Sequence, residues 1–370
     1  MSRKKRKKWK GCLTVLLCIL AAALCVTGFI ALRTQLVYKK LTKPAVTEAA
    51  VRPSVDFVQP GMLAGWTDEQ YAEYFGLLRG AGYDSVILQF TRYKVGGVCY
   101  TYYPSAGMKD RYETVDDSMS DVLGALLANA AREGFEVWVG LSVDDDDWWG
   151  VLCTWDEDWM RALGEVDVMM IREISELYGD EPAFRGWYWA HELYSNPVRM
   201  EAIWAELLNS AIAEIDRTAD GRPLMLSPFR HVQAGLVTNE YRMWSRFFDA
   251  VNFREGDIFA PQDSTGKLNQ SHPDEPSRFS AVVIYDYLNA VKRAVDETPE
   301  LTLWINVELF QKESGDEYNA ADAARVALQC ANASRVTDTL VTFSFSHYAL
   351  PMGTNDTPEG RAALFEGMTK

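Results

Sequence analysis

Glu192 and Glu308 are the residues of this chain whose surroundings most demand a chemical explanation. Each closes an apolar run. "GWYWAHEL" (186–193) ends with His191 and Glu192, and "LTLWINVELF" (301–310) carries Asn306 and Glu308 near its end. Alternation along 301–310 puts Leu301, Leu303, Ile305, Val307 and Leu309 on one face of a strand. Thr302, Trp304, Asn306, Glu308 and Phe310 fall on the other. Burying a lone carboxylate is expensive, so such a residue must be solvated, paired or functional. Two opposed carboxylates are equipment for cleaving a glycosidic bond, one protonating the leaving oxygen while the other serves the sugar. Direct attack needs the pair about 5–5.5 Å apart, and activation of water about 6.5–9.5 Å.

Elements that could oppose them follow from the rhythm of the chain. Strand-like runs occur at 61–66, 83–90, 135–143, 184–193, 223–229, 249–263, 301–310 and 339–348. Helix-patterned stretches at 68–82, 119–134, 156–179, 196–216, 238–248, 277–297 and 320–334 separate them. The fourth of these opens with Asn196 as cap and Pro197 at the first helical position. Eight strands alternating with helices predict an α/β fold, a (β/α)8 TIM barrel. An open doubly wound sheet is the alternative, but no Gly-rich phosphate loop follows the first run.

In such a barrel the strands' C-terminal ends form the active site. Strand three leaves through Asp144–Asp147, Trp148 and Trp149, strand four at His191 and Glu192, and strand five at Arg230 and His231. Strand six ends at Gln262 and Asp263, strand seven at Asn306 and Glu308, and strand eight at His347. Trp148, Trp149, Tyr188 and Trp304 add flat rings suited to sugar faces. Plainer readings exist for several of these. Glu308 could pair with Arg230, and Asp263 could cap the turn "DSTG". The Asp144–Asp147 run reads as a solvated loop, lacking the spaced ligands and turn glycine of a calcium loop. No metal and no other cofactor is expected.

Before the barrel lies a different kind of sequence. Residues 1–10 are a basic tail, with seven Lys or Arg between positions 2 and 10, and residues 11–32 are uncharged. Those 22 residues span about 33 Å as a helix, enough for a hydrocarbon core of about 30 Å. The basic flank places the N-terminus in the cytoplasm and the remainder outside, so a transmembrane signal anchor at the cell membrane is expected. A cleaved signal peptide is the alternative, though its apolar region is usually shorter, about 7–15 residues. Residues 33–58, with Pro44 and Pro53, read as a stalk, and 59–370 as the barrel domain. Residues 1–40 hold ten bases and no acids, which leaves 27 bases against 52 acids after them, a charge of −25. So acidic a domain excludes nucleic acid as a partner. Cys99, Cys153 and Cys330 follow the apolar segment without a CxxC spacing, which argues against a disulfide framework or a zinc site.

"GWYWAHEL", "LSPF", "DIFAPQD" and "WINVELF" resemble an uncharacterised bacterial family of glycosidase-like barrels, a domain of unknown function, over about residues 58–350. The arrangement is similar, more broadly, to the clan of retaining (β/α)8 glycoside hydrolases. That resemblance implies Glu192 as acid/base on strand four and Glu308 as nucleophile on strand seven. One departure stands out: the clan carries Asn immediately before the acid/base, and this chain has His191. The resulting expectation is a membrane-anchored extracytoplasmic glycoside hydrolase acting on a polysaccharide or glycan by double displacement. Its rivals are a non-catalytic carbohydrate-binding barrel and a metal-dependent hydrolase using His191, His231, His347 and Asp263.

Overall fold

Four strands open the fold: β1 (Pro53–Val58), β2 (Ser85–Leu88), β3 (Glu136–Gly140) and β4 (Phe184–Trp189). β5 (Leu224–Leu226), β6 (Asp257–Phe259), β7 (Leu301–Leu303 and Ile305–Glu308) and β8 (Leu340–Phe343) complete the set. A helix follows each in turn: α1 (Asp68–Ala81), α2 (Val122–Glu133), α3 (Glu157–Tyr178) and α4 (Glu201–Thr218), then α5 (Glu240–Phe248), α6 (Pro276–Val295), α7 (Ala323–Ala333) and α8 (Pro358–Thr369). Every ladder between neighbouring strands is parallel. The two halves of β7, divided at Trp304, begin and end the sheet: one pairs with β6 and the other with β8. The sheet thus curls into a barrel nearly closed at that break. The structure is a computed structural model describing residues 14–29, 31, 32, 36, 48–146, 156–194, 201–218, 221–229, 240–266, 276–312, 317–354 and 356–369, with backbone alone over 276–283.

Local chemistry explains the helix boundaries. Thr67 caps α1 through a reciprocal box with Gln70, and Gly82, at φ 97°, ends it in the left-handed conformation. Gly134 ends α2 in the same way, at φ 70°. The chain can therefore reverse sharply into β2 and β3.

Alternation along the strands sorts side chains between two layers. Val55, Phe57, Ile87, Trp138, Tyr188, Met225, Ile258 and Val341 fill the barrel interior, with Trp304 and Phe343 packed against them. The opposite faces, including Val86, Val139, Trp187, Leu226, Phe259 and Val307, are also buried. Each such aliphatic side chain contributes about 1.5–3 kcal/mol of burial. Gly186 makes room for the interior, because a Cβ there would stand 2.5 Å from the Trp138 ring.

Three features depart from the sequence-based expectation. The first strand is Pro53–Val58, inside the stretch assigned to a stalk, whereas 61–66 holds the end of a short helix, Pro60–Leu63, and a turn. Asp56 disguised that strand by interrupting its apolar pattern. α8 was not expected. Nor was a four-stranded side sheet, in the order Val115–Asp116, Val98–Thr101, Arg92–Val95, Ser142–Asp144.

At the other end of the chain, residues 14–29 form a helix with exposed side chains. Residues 11–13 and 30 of the expected anchor lie outside the described residues. Among the described residues no helix is long and apolar enough to cross a membrane. Cys99 and Cys330 are buried free thiols, while Cys153 lies outside the described residues.

Candidate active site

The C-terminal ends of β1–β4 and β8 open onto a cavity of about 470 Å³, whose walls include Gln59, Gln89, Asp145, His191, Glu192 and His347. Strand register decides what each residue can reach. Tyr188 and Ala190 face the interior, so Glu192, two further on, emerges on the same side. Ile258 and Ala260 do likewise for Gln262, and Trp304 for Asn306 and Glu308.

Three of these lumen positions connect through Ser227, two residues beyond interior Met225. Gln262 Nε2 donates to Glu192 Oε1 at 2.7 Å and to the Ser227 carbonyl at 3.1 Å. Asn306 Nδ2 donates in turn to Ser227 Oγ at 3.0 Å. An amide chain thus runs from Glu192 on the fourth strand's end to Asn306 on the seventh, and Glu308 stands one lumen position beyond. Tyr188 lies under Glu192, whose charge adds to burial in raising its phenol pKa well above the ordinary range.

Glu308 is only 5% exposed and is fixed on all sides. Its Oε2 accepts from the Gly266 N–H at 2.5 Å, a close approach that a Cβ on Gly266 would prevent by striking the Phe310 ring. Its backbone N–H donates to Asp263 Oδ1 at 3.3 Å, and its carbonyl accepts from Arg325 Nη2 at 3.3 Å and Gln329 Nε2 at 3.1 Å. Arg325 and Gln329 lie one turn apart on α7. Sequence reasoning passed over both, though a buried Arg and Gln at i and i+4 of an otherwise apolar face were a readable signal.

Neighbouring candidates fall on the opposite side of the strands. Asp263 follows lumen residue Gln262 and is therefore turned outward. It accepts from Thr265 N–H and Oγ1 at 3.2 and 3.0 Å and from Gln329 Nε2 at 2.6 Å. Burial pushes its carboxyl pKa up, against the opposing Gln329 hydrogen bond and Arg325 charge. The same parity turns His191 toward α3, where its Nε2 meets Asp167 Oδ2 at 2.9 Å and Ser142 Oγ at 3.2 Å. Asp167 also takes the Trp189 indole N–H at 3.0 Å. The imidazole standing where the clan has Asn thus has its Nε2 engaged inside the protein.

Tyr188 and Trp304 belong to the interior layer rather than to a platform at the mouth. Tyr188 packs edge-on to Phe57 and Trp304 to Trp138. At about 3.3 Å per strand residue, Trp304 lies roughly 13 Å below Glu308. Asp144, expected in a solvated loop, is buried, with Arg92 at 3.5 Å and Lys94 at 3.3 Å compensating its charge. His231, Arg230, Trp148 and Trp149 lie outside the described residues. His191, His347 and Asp263 are not gathered into one ligand set: among the described residues, no group of three or more His, Cys, Asp or Glu could hold a metal ion.

His347 lines the cavity in neutral form. The Gln59 N–H donates to its Nε2 at 3.0 Å, leaving Nδ1–H for Thr354 Oγ1 at 3.0 Å, and burial lowers its pKa to about 4. Asp56, on the outer face of β1, anchors the same segment by accepting from the Phe345 and Ser346 N–H groups at 2.7 and 2.8 Å. Burial nevertheless raises its pKa to about 6. Folded Asp56 keeps a proton that the unfolded chain has lost, so its contribution to stability falls as pH rises from about 4 to 6. The His347 contribution has the opposite sign and rises as pH climbs from about 4 to 6.5, because only the unfolded imidazole is charged there. Each amounts to about 3 kcal/mol, so the two largely cancel. Denaturant titrations should show wild type gaining roughly 3 kcal/mol on His347→Gln across that window. A pH-independent difference would refute the assignment.

Comparison with known proteins places this geometry among barrels. A provisionally named alpha-L-fucosidase from Bacteroides thetaiotaomicron VPI-5482 superposes with a TM-score of 0.66 at 18% identity, covering 88% of this chain and 94% of that one. A glycoside hydrolase family 5 mannosidase from Rhizomucor miehei gives 0.53 at 11% identity, covering 88% and 95%. A glycoside hydrolase family 5 protein from Bacteroides vulgatus ATCC 8482 gives 0.51 at 14%, covering 89% and 70%. At such identities the likeness is one of fold. No curated protein matches the chain. The family described as "Domain of unknown function (DUF4434)" matches residues 56–356, from the first strand to the loop before α8, and the chain belongs to that family.

Proposed function

We propose that the chain is a glycoside hydrolase acting on a polysaccharide or glycan by a retaining mechanism. Glu308 serves as nucleophile, and Glu192 as general acid and then general base. The observation that carries this reading is the amide chain linking Glu192 on strand four to Asn306, one lumen position below Glu308 on strand seven. The amide chain reaches from Glu192, which lines the cavity, across the barrel interior to the strand that carries Glu308. Fold likeness to glycoside hydrolase barrels supports the same reading. The direct test is profiling the chain on a glycan panel, with the anomer first released read by NMR. Absence of cleavage across neutral, amino and acidic glycans would reject it.

One observation favours a non-catalytic carbohydrate-binding barrel: Glu308 is buried against Gly266 rather than exposed in the cavity wall. Binding without cleavage on the same panel is the outcome that selects it.

The proposal includes anchorage by residues 11–32, with the barrel outside the cytoplasm. It is supported by their uncharged composition and basic flank. Protease added to intact cells should remove the barrel, whereas complete protection would overturn this topology.

A further inference from the structure

Residues 89–121, between β2 and α2, build most of the side sheet, and the exit of β3 supplies its last strand. Register pairs Arg92 with Ser142, Tyr93 with Val143 and Lys94 with Asp144. Period-two alternation then separates the charges from the cavity. Arg92, Lys94 and Asp144 share one face, where both bases pair with Asp144. Tyr93, Val143 and Asp145 share the other, and all three line the cavity that Glu192 borders.

This face is prepared for more than packing. The Tyr93 ring stacks on Phe90 at 5.0 Å and 21°, and Tyr102 closes on Phe90 at 5.8 Å. Tyr93 Oη donates to Asp145 Oδ2 at 2.8 Å, fixing the carboxylate at the rim. Beside Phe90, Gln89 Oε1 is buried with no hydrogen-bond partner among the described residues. Rings suit the C–H face of a sugar, while a carboxylate and an amide oxygen accept from its hydroxyls. Among the described residues of the cavity wall there is no Lys or Arg, but there are two carboxylates, Asp145 and Glu192. An anionic sugar would meet the Asp145 charge with no Lys or Arg among the described wall residues to offset it.

We propose that Tyr93, Phe90, Tyr102 and Asp145 form a sugar-binding wall that selects neutral or amino sugars and rejects uronate or sulfated ones. This rests on the glycan-processing reading above. The test is equilibrium binding of neutral, amino-sugar and uronate oligosaccharides to the detergent-solubilised full chain carrying Glu308→Gln. Neutral or amino-sugar oligosaccharides should bind, and Tyr93→Ala should weaken them about three- to tenfold. Asp145→Asn should weaken amino sugars most, with both variants still unfolding in one cooperative transition above the assay temperature. Tighter binding of uronates, unchanged affinity in both variants, or retention of no oligosaccharide would each overturn the proposal. The two readings fail separately. Cleavage by the chain with native Glu308, with KM unaltered by Tyr93→Ala, removes the wall and keeps the hydrolase. Binding that Tyr93→Ala weakens, without cleavage by that chain, keeps the wall and removes the hydrolase.

Discussion

Glu308→Gln is expected to lower turnover of any glycoside the wild type cleaves by at least about a thousandfold, while leaving the protein folded. An amide cannot form the glycosyl ester, so the covalent step is blocked whatever else the site retains. Glutamine is the sharper test because its carbonyl oxygen can still accept from the Gly266 N–H. The backbone bonds to Asp263, Arg325 and Gln329 are also independent of the side chain. Alanine would strand the Gly266 donor in a buried place, at about 1–3 kcal/mol, and confuse lost chemistry with lost stability. Measured kcat/KM alongside thermal unfolding checks both halves of the expectation. A variant that keeps a tenth or more of wild-type turnover would remove Glu308 from the nucleophile's role.

That expectation depends on register, which is also where the sequence was most and least informative. The runs ending at Glu192 and Glu308 were legible because their apolar periodicity is strong and each carboxylate has lumen parity. Applied consistently, the same parity separates Glu192 from His191 and Gln262 from Asp263. Adjacency at a strand end had grouped residues that the pleat sends to opposite faces. β1 escaped notice because Asp56 breaks its pattern, and only tertiary donors from Thr342, Phe345 and Ser346 make that carboxyl tolerable there. Asp167 was hidden in a helix but had left a trace, lying between Leu163, Val166, Met170 and Ile171 on the buried stripe of α3. The side sheet was readable in part. Gly96 and Gly97, both with positive φ between Val95 and Val98, are the signature of a two-residue hairpin turn. That this hairpin would face the cavity with Tyr93 follows only from pairing with Ser142–Asp144, a contact across 50 residues that no local pattern specifies.

Glu192→Ala is expected to divide substrates by leaving group. Natural glycans leave as poor alkoxides and need a proton, so their cleavage should fall by about 10²–10⁴. An activated aryl glycoside needs none, and its first step should survive. The second step then becomes limiting, because water attacking the glycosyl-enzyme has lost its base. The predicted signature is a burst of phenol followed by a slow steady state. Azide carries its own negative charge and attacks without base assistance, so it should raise that steady rate. It should also yield a glycosyl azide with the substrate's anomeric configuration, since two inversions restore it. The neighbourhood should tolerate the change, since Gln262 Nε2 still has the Ser227 carbonyl to donate to once Glu192 is gone. Equal losses on both substrate types, with no azide effect, would leave Glu192 a structural partner of Gln262. An azide product of inverted configuration would instead mean a single displacement from the face opposite the leaving group, the signature of a missing nucleophile, and would overturn the assignment of Glu192 as acid/base.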